Sequence, residues 1–425
     1  MKILIKQGRV IDPESGLDAI MDVLIIDDKI HAVEKKIPAT VDKIIDASKY
    51  IVAPGFIDMH VHLREPGLEE KETISSGVKA AVRGGFTSIA CMPNTVPVND
   101  NRGITEYIIN EAKKQNFANV FPFAAITKES KGEVLTEMAD LTEAGAVGFS
   151  DDGNPVMNSQ IMRRALEYSK PLNSLISDHC EDKNLSNNGI MHEGYYSYRY
   201  GLKGIPSSSE EVMVSRNIIL AEKADTRIHI SHVSTKGSIE LIRNAKEKGI
   251  SVSAEVTPHH LLLSDESLRS YDANFKVNPP LRSQDDINAL IEAVQTKTID
   301  VFATDHAPHT PDEKSVEIDS APFGIIGLES AVSLLIDKLV HTGIITINQL
   351  IEMYSIKPAN LLGLKQKGKI SQGADADLTI LNLEKKIKID VSSFYSKGRN
   401  CPFNGWELKG SPETTIVAGK IKYPF

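Results

Sequence analysis

A chain of 425 residues, 41% hydrophobic and 25% charged, has an ordinary globular composition, and its length suits one large domain with a smaller one beside it. Its 48 basic and 57 acidic residues give a formal net charge of −9, which argues against a surface built mainly to neutralise phosphates or anionic lipid. An anionic ligand therefore has to be met locally. Cys91, Cys180 and Cys401 are widely spaced and form no CxxC pair, so neither a disulfide framework nor a thiolate zinc finger is supported and a reducing compartment fits. The opening Met1-Lys2-Ile3-Leu4-Ile5-Lys6 lacks the longer apolar core of a signal peptide, and no run approaches the roughly 18 apolar residues of a membrane helix. A soluble, cytoplasmic protein is expected.

Residues 1–53 read as short β-type runs (3–5, 23–26, 43–45) broken by Gly8, Asp12-Pro13, Gly16 and Asp27-Asp28. The tail, 366–425, has the same texture, with strands expected at 376–381 and 415–421, so both ends are expected to pair into one β-domain. Between them, residues 54–365 alternate apolar strands with amphipathic stretches such as 72–84, 209–224 and 236–248, the pattern of βα units. The expected strands are 55–60, 87–91, 119–124, 146–150, 174–178, 228–232, 251–256 and 300–305. Eight repeats over this length predict an α/β fold, a (β/α)8 TIM barrel flanked by the small β-domain; a doubly wound open sheet is the alternative.

The chemistry sits at the strand ends. In Asp58-Met59-His60-Val61-His62 the alternation of a strand points both imidazoles one way, where they can chelate one ion. Ser177-Asp178-His179-Cys180 ends the fifth strand, Ile230-Ser231-His232 the sixth and Ala303-Thr304-Asp305-His306 the eighth. In a barrel these ends converge on one mouth, and imidazole with carboxylate is the donor set of a catalytic zinc site. The fourth strand ends in Ser150-Asp151-Asp152-Gly153, and two neighbouring cations need an anionic bridge; Asp152 is the candidate and Asp151 the competing one. His229 is expected to pack outside the barrel, opposite His232. Cys180 is read as a packed thiol, and His259-His260 follow the seventh strand on the face of the mouth. His31, His192 and His341 carry no site signal.

The stretch Asp58 to Gly67 (DMHVHLREPG), Met92-Pro93-Asn94-Thr95, the run Ser150 to Gly153 and Asp305-His306-Ala307-Pro308-His309 resemble class I dihydroorotases of the amidohydrolase superfamily. Many members of that superfamily place a carboxylated lysine at the bridge; residues 144–153 contain no lysine here. The resemblance implies His60, His62, Asp152, His179, His232 and Asp305 as ligands for one or two Zn²⁺ per chain. Arg64 would grip a substrate carboxylate, Asn94, Asn278 and His309 would add hydrogen bonds beside His62, and Phe323-Gly324 would contact the ring. Asp305 would take the proton of the attacking water and pass it to the leaving ring nitrogen. The implied reaction is the reversible closure of N-carbamoyl-L-aspartate to L-dihydroorotate in pyrimidine synthesis. The implied partners are the small-molecule substrate, a second copy in a homodimer and an aspartate carbamoyltransferase, with no nucleic acid and no membrane. A hydantoinase-like or allantoinase-like activity and a catalytically inactive carbamoyltransferase partner are the rivals.

Overall fold

The computed structural model describes residues 1–424. Eight parallel strands carry the middle of the chain: Phe56–Val61, Phe86–Cys91, Asn119–Ala124, Gly148–Phe149, Leu175–Asp178, Ile228–Ile230, Val252–Val256 and Val301–Phe302. Neighbours in sequence are neighbours in the sheet. His306 closes the ring by a parallel bridge to Val61, and its carbonyl accepts from His62 N at 2.9 Å. The fold is thus the barrel rather than the open sheet. The sixth and eighth strands stop at Ile230 and Phe302, short of the expected 232 and 305. The cause is local: His232 and Asp305 have φ of 30° and 47°, and a left-handed backbone cannot continue a ladder.

Helices begin where a side-chain oxygen takes up amides that have no partner within the helix. Thr73 accepts from Ser76 N at the head of Ile74–Arg83, and Asn101 from Ile104 N at Arg102–Gln115. Asn158 and Thr235 do the same for Ser159–Leu172 and Lys236–Glu247. Asn116, Asn173 and Asp225 end their helices in the left-handed conformation that short polar residues tolerate. The inner faces of these helices meet the strands in one apolar core: Val214, Ile218, Ile239 and Ile242 pack with Ile228 and Ile230. Under the barrel, Tyr354 lies against Phe56, Phe86 and Phe302, with ring centroids 5.5, 5.2 and 5.5 Å away.

The chain ends share a second sheet. Its order is Lys420–Tyr423, Glu407–Val417, Leu378–Lys388, Ile51–Pro54, Lys2–Asp12, Leu17–Ile26, Lys29–Glu34, with Lys43–Asp46 paired to Lys2–Asp12. The two ends join where Val52 opposes Ile380. Alternating residues of both (Ile3, Ile5, Val10, Val52, Leu378, Ile380) form a separate apolar cluster. One residue, Gly55, carries the chain from this sheet into the first barrel strand; a Cβ there would lie 2.2 Å from Thr87 Oγ1, so only glycine fits.

Candidate metal centre and its pocket

The strand ends bring together most of what the sequence marks. His60 Nε2 lies 3.4 Å from Asp152 Oδ1 and 3.5 Å from Asp305 Oδ1. His62 Nε2 lies 3.0 Å from Asp305 Oδ1 and 3.5 Å from Asp152 Oδ2. His232 Nε2 is 3.6 Å and His179 Nδ1 3.9 Å from Asp152 Oδ1. Two triads, His60-Asp152-His232 and His60-His62-Asp305, each hold their donor atoms within 4.8 Å of one another, and all these residues are buried.

This arrangement fits a metal ion by a direct test. Buried polar atoms are nearly always hydrogen-bonded, yet His60 Nε2, Asp152 Oδ1 and His232 Nδ1 have no hydrogen-bond partner. His60 Nε2 and Asp152 Oδ1 face each other at 3.4 Å, and lone pairs left unpaired and turned toward one another are what a cation satisfies. Burial alone would raise both carboxyls, but the imidazoles around them prevail: His60 and His232 hold Asp152, and His62 and His60 hold Asp305, well below the usual carboxylate range. Arg64, His232 and Asp305 all have left-handed backbones, with φ of 63°, 30° and 47°. Non-glycine residues in that region cluster at functional sites because the surrounding structure has to impose them.

Behind the donors stands a set of orienting bonds. His62 Nδ1 donates to Asn94 Oδ1 at 2.9 Å, leaving Nε2 to face the carboxylates. His60 Nδ1 is 2.5 Å from Glu255 Oε1, which also accepts from His232 N. Glu255 Oε2 lies 3.1 Å from His229 Nε2, and His229 Nδ1 2.8 Å from Ser253 Oγ. His229 thus belongs to the interior network and does not pack outside the barrel. The expectation erred because it carried strict alternation from 229 through 232, whereas the strand ends at Ile230 and the backbone turns at His232. Between the two candidate bridges the geometry is plain: Asp151 is occupied by Ile126 N, Thr127 N and the Thr127 hydroxyl, while Asp152 faces the imidazoles. The Cys180 thiol is buried beside Asp178 and Asn217, and burial pushes its pKa up.

A cavity of about 450 Å³ opens from the donors and is lined by Arg64, Asn94, Asn278, His309, Phe323 and Gly324 as well as His62, Asp152, His179, His232 and Asp305. Arg64 forms no ion pair among the described residues. Its Nε donates to Pro308 O at 3.3 Å and one terminal nitrogen lies 3.4 Å from His309 Nε2. Three residues at or behind the cavity wall, Glu181, Asn400 and Glu255, escape the sequence reading. Glu181 binds His179 Nε2, Lys183 and Asn278 Nδ2. Asn400, from the far end of the chain, accepts from His309 N and donates to Ala307 O and Gly324 O. Glu255 had a signal, a carboxylate inside a fully buried barrel strand; Glu181 and Asn400 had none.

The Dihydro-orotase-like family model matches residues 49–238, and an amidohydrolase family model matches 341–423. A dihydroorotase of Pelotomaculum thermopropionicum is 53% identical over 421 residues, 99% of this chain and 98% of that one. One of Syntrophus aciditrophicus is 49% identical, with 100% and 99% covered. Among solved structures, an L-hydantoinase (dihydropyrimidinase) from Arthrobacter aurescens superposes with a TM-score of 0.90 at 25% identity, covering 99% of this chain and 95% of that one.

Proposed function

The chain belongs to the dihydroorotase family and is a cyclic amide hydrolase, and from that premise we infer that it works as a class I member, interconverting N-carbamoyl-L-aspartate and L-dihydroorotate in pyrimidine synthesis with bound zinc. His60, His62, Asp152, His179, His232 and Asp305 would hold one or two Zn²⁺, since four imidazoles and two carboxylates are a nitrogen and oxygen set that zinc accepts. When bound, the metal supplies Lewis-acid polarisation of the scissile carbonyl and lowers the pKa of a water to about 7.

The chain's own residues do the rest. The Nε edge of Arg64 is engaged by Pro308 O, which leaves the outer edge of its guanidinium fork for the substrate's carboxylate in a bidentate pair. Asn278 orients the bound ring with hydrogen bonds, His309 adds its hydrogen bond beside Arg64 at the carboxylate, Phe323 and Gly324 form the ring's wall, and Asn94 acts through His62. Asp305, ionised and 3.0 Å from His62, accepts the proton of the attacking water. The water oxygen bonds to the carbonyl carbon, the carbon–nitrogen bond breaks, and Asp305 returns the proton to the departing nitrogen. Ring closure runs the same steps backwards. Among the described residues no helix is long and apolar enough to cross a membrane, and the buried free thiols of Cys91, Cys180 and Cys401 suit a reducing cytoplasm. A homodimer and an association with aspartate carbamoyltransferase remain what the family resemblance implies, readable by sizing the protein with and without that enzyme.

The observation that supports this reading is the meeting, in one cavity, of unpaired buried metal donors and an arginine without a carboxylate. Its test is turnover of dihydroorotate and of N-carbamoyl-aspartate by purified protein of known metal content. Stripping the metal should abolish both reactions and zinc should restore them. Undiminished turnover by fully stripped protein would remove the metal from the mechanism. A zinc-loaded protein inert toward dihydroorotate would remove the substrate assignment.

A further inference from the structure

The mechanism leaves Glu313 and Lys314, two adjacent residues on the one-turn helix Pro311–Lys314, without a role. Each is tied to a different side of the cavity. Lys314 Nζ donates to Pro322 O at 2.8 Å, Ala273 O at 3.0 Å and Lys276 O at 3.3 Å. Those carbonyls belong to the two segments that present Asn278 and Phe323-Gly324 to the cavity. The two segments are also joined directly, because Gly324 N donates to Lys276 O at 3.0 Å. Gly324 has φ of 148° and a Cβ there would stand 2.7 Å from Ala307 O, so this wall has one narrow way to sit. No carboxylate pairs with Lys314 among the described residues; burial and the neighbouring Lys276 push its pKa down to about 7. A half-buried ammonium satisfied by carbonyls with no paired counter-charge is costly, and a methionine would fill the space without that cost.

Glu313 faces the other side. It accepts from His309 Nδ1 at 3.1 Å and from Thr310 N at 3.1 Å, and pairs with Lys71 at 2.7 Å. A carboxylate only accepts, so it fixes the His309 proton on Nδ1 and turns the ring so that Nε2 stands beside Arg64. The chain Lys71, Glu313, His309, Arg64 therefore sets the group that meets a substrate carboxylate, while Lys314 sets the walls that meet the ring.

We propose that the helix Pro311–Lys314 is a two-armed positioning bracket, Lys314 holding the ring-facing walls and Glu313 holding the carboxylate-facing pair His309 and Arg64. Neither residue is a catalytic residue; each acts through others. The proposal rests on the dihydroorotase reading of the cavity.

The test is inhibition of dihydroorotate hydrolysis by two rings, orotate, which carries a carboxylate, and uracil, which does not, measured with zinc-loaded protein. Glu313→Gln keeps the helix cap and an acceptor but loses the charge. Lys314→Met keeps the volume and loses the donors, and Lys314→Arg keeps a cation with donors. Lys314→Met should weaken both inhibitors by roughly tenfold or more, as loss of a charge-assisted hydrogen bond does. Lys314→Arg should recover part of that loss. Glu313→Gln should weaken orotate by about fivefold and leave uracil unchanged. Bound zinc and kcat should stay near native in all three. Equal effects of Glu313→Gln on the two rings, native inhibition in Lys314→Met, or lost zinc in either variant would overturn the bracket. If Lys314→Met does not fold, Lys314→Arg together with Glu313→Gln decides: native inhibition by both rings in both variants overturns it. Native protein that neither hydrolyses dihydroorotate nor is inhibited by orotate would instead sink the functional reading.

Discussion

The two ends of the barrel are built on opposite rules. At the mouth, buried atoms are left without hydrogen-bond partners, carboxylates crowd together and three non-glycine residues carry left-handed backbones. At the base, Tyr354 packs among Phe56, Phe86 and Phe302 with its hydroxyl also unpaired, and the nearby Asp58 carboxyl is taken up by Thr304 and His60 N rather than turned to a ligand. An unpaired buried atom therefore has two meanings. At the mouth it is one of several convergent donors, and at the base it is an isolated cost within apolar packing. Convergence separates the two cases.

Substitutions can break or sharpen that contrast. The largest effect is expected from Asp305→Asn, where an amide oxygen can still meet a metal but cannot accept the water's proton. Its kcat should fall by about 10²–10⁴-fold in both directions while most of the bound zinc is retained. Rates and metal content both near native would leave Asp305 a bystander. Arg64→Ala should follow, lowering kcat/KM for dihydroorotate by roughly 10–100-fold, the range for a hydrogen-bonded charge pair in a site of this kind. Unchanged kinetics would mean that the site never held a carboxylate and would favour a hydantoinase-like substrate. The smallest effect belongs to the base. Tyr354→Phe removes only the unpaired hydroxyl, so stability in denaturant should be unchanged or rise by up to about 1 kcal/mol, with native activity and native metal. A loss of more than that would show that the hydroxyl has a partner and that the contrast between the ends is misdrawn.

Much of the site could be read from the chain because a strand has a two-residue period and a barrel gathers its strand ends at one mouth. His60 and His62 on one face come together with His232, Asp305 and Asp152 at that mouth, and His179 approaches Asp152 there. The rule holds only while the backbone stays extended. It misplaces His229 because the ladder stops at Ile230. It extends the last strand to Asp305 although the ladder stops at Phe302 and Asp305 reaches the site from a left-handed backbone.

What the sequence by itself determined is the alternation of strands and helices and which imidazoles and carboxylates fall at the strand ends, since each depends on residues a few positions apart. What only the tertiary structure decided is which residues hold those donors in place. Glu255 reaches His60 across 195 positions, and Asn400 reaches His309 across 91. Lys314 joins carbonyls 41 and 38 positions upstream to one 8 positions downstream. Such partners carry no local pattern, because hydrogen bonding between distant segments is set by where the closed barrel and the returning C-terminal chain bring backbones together, and no periodicity in the sequence encodes that distance.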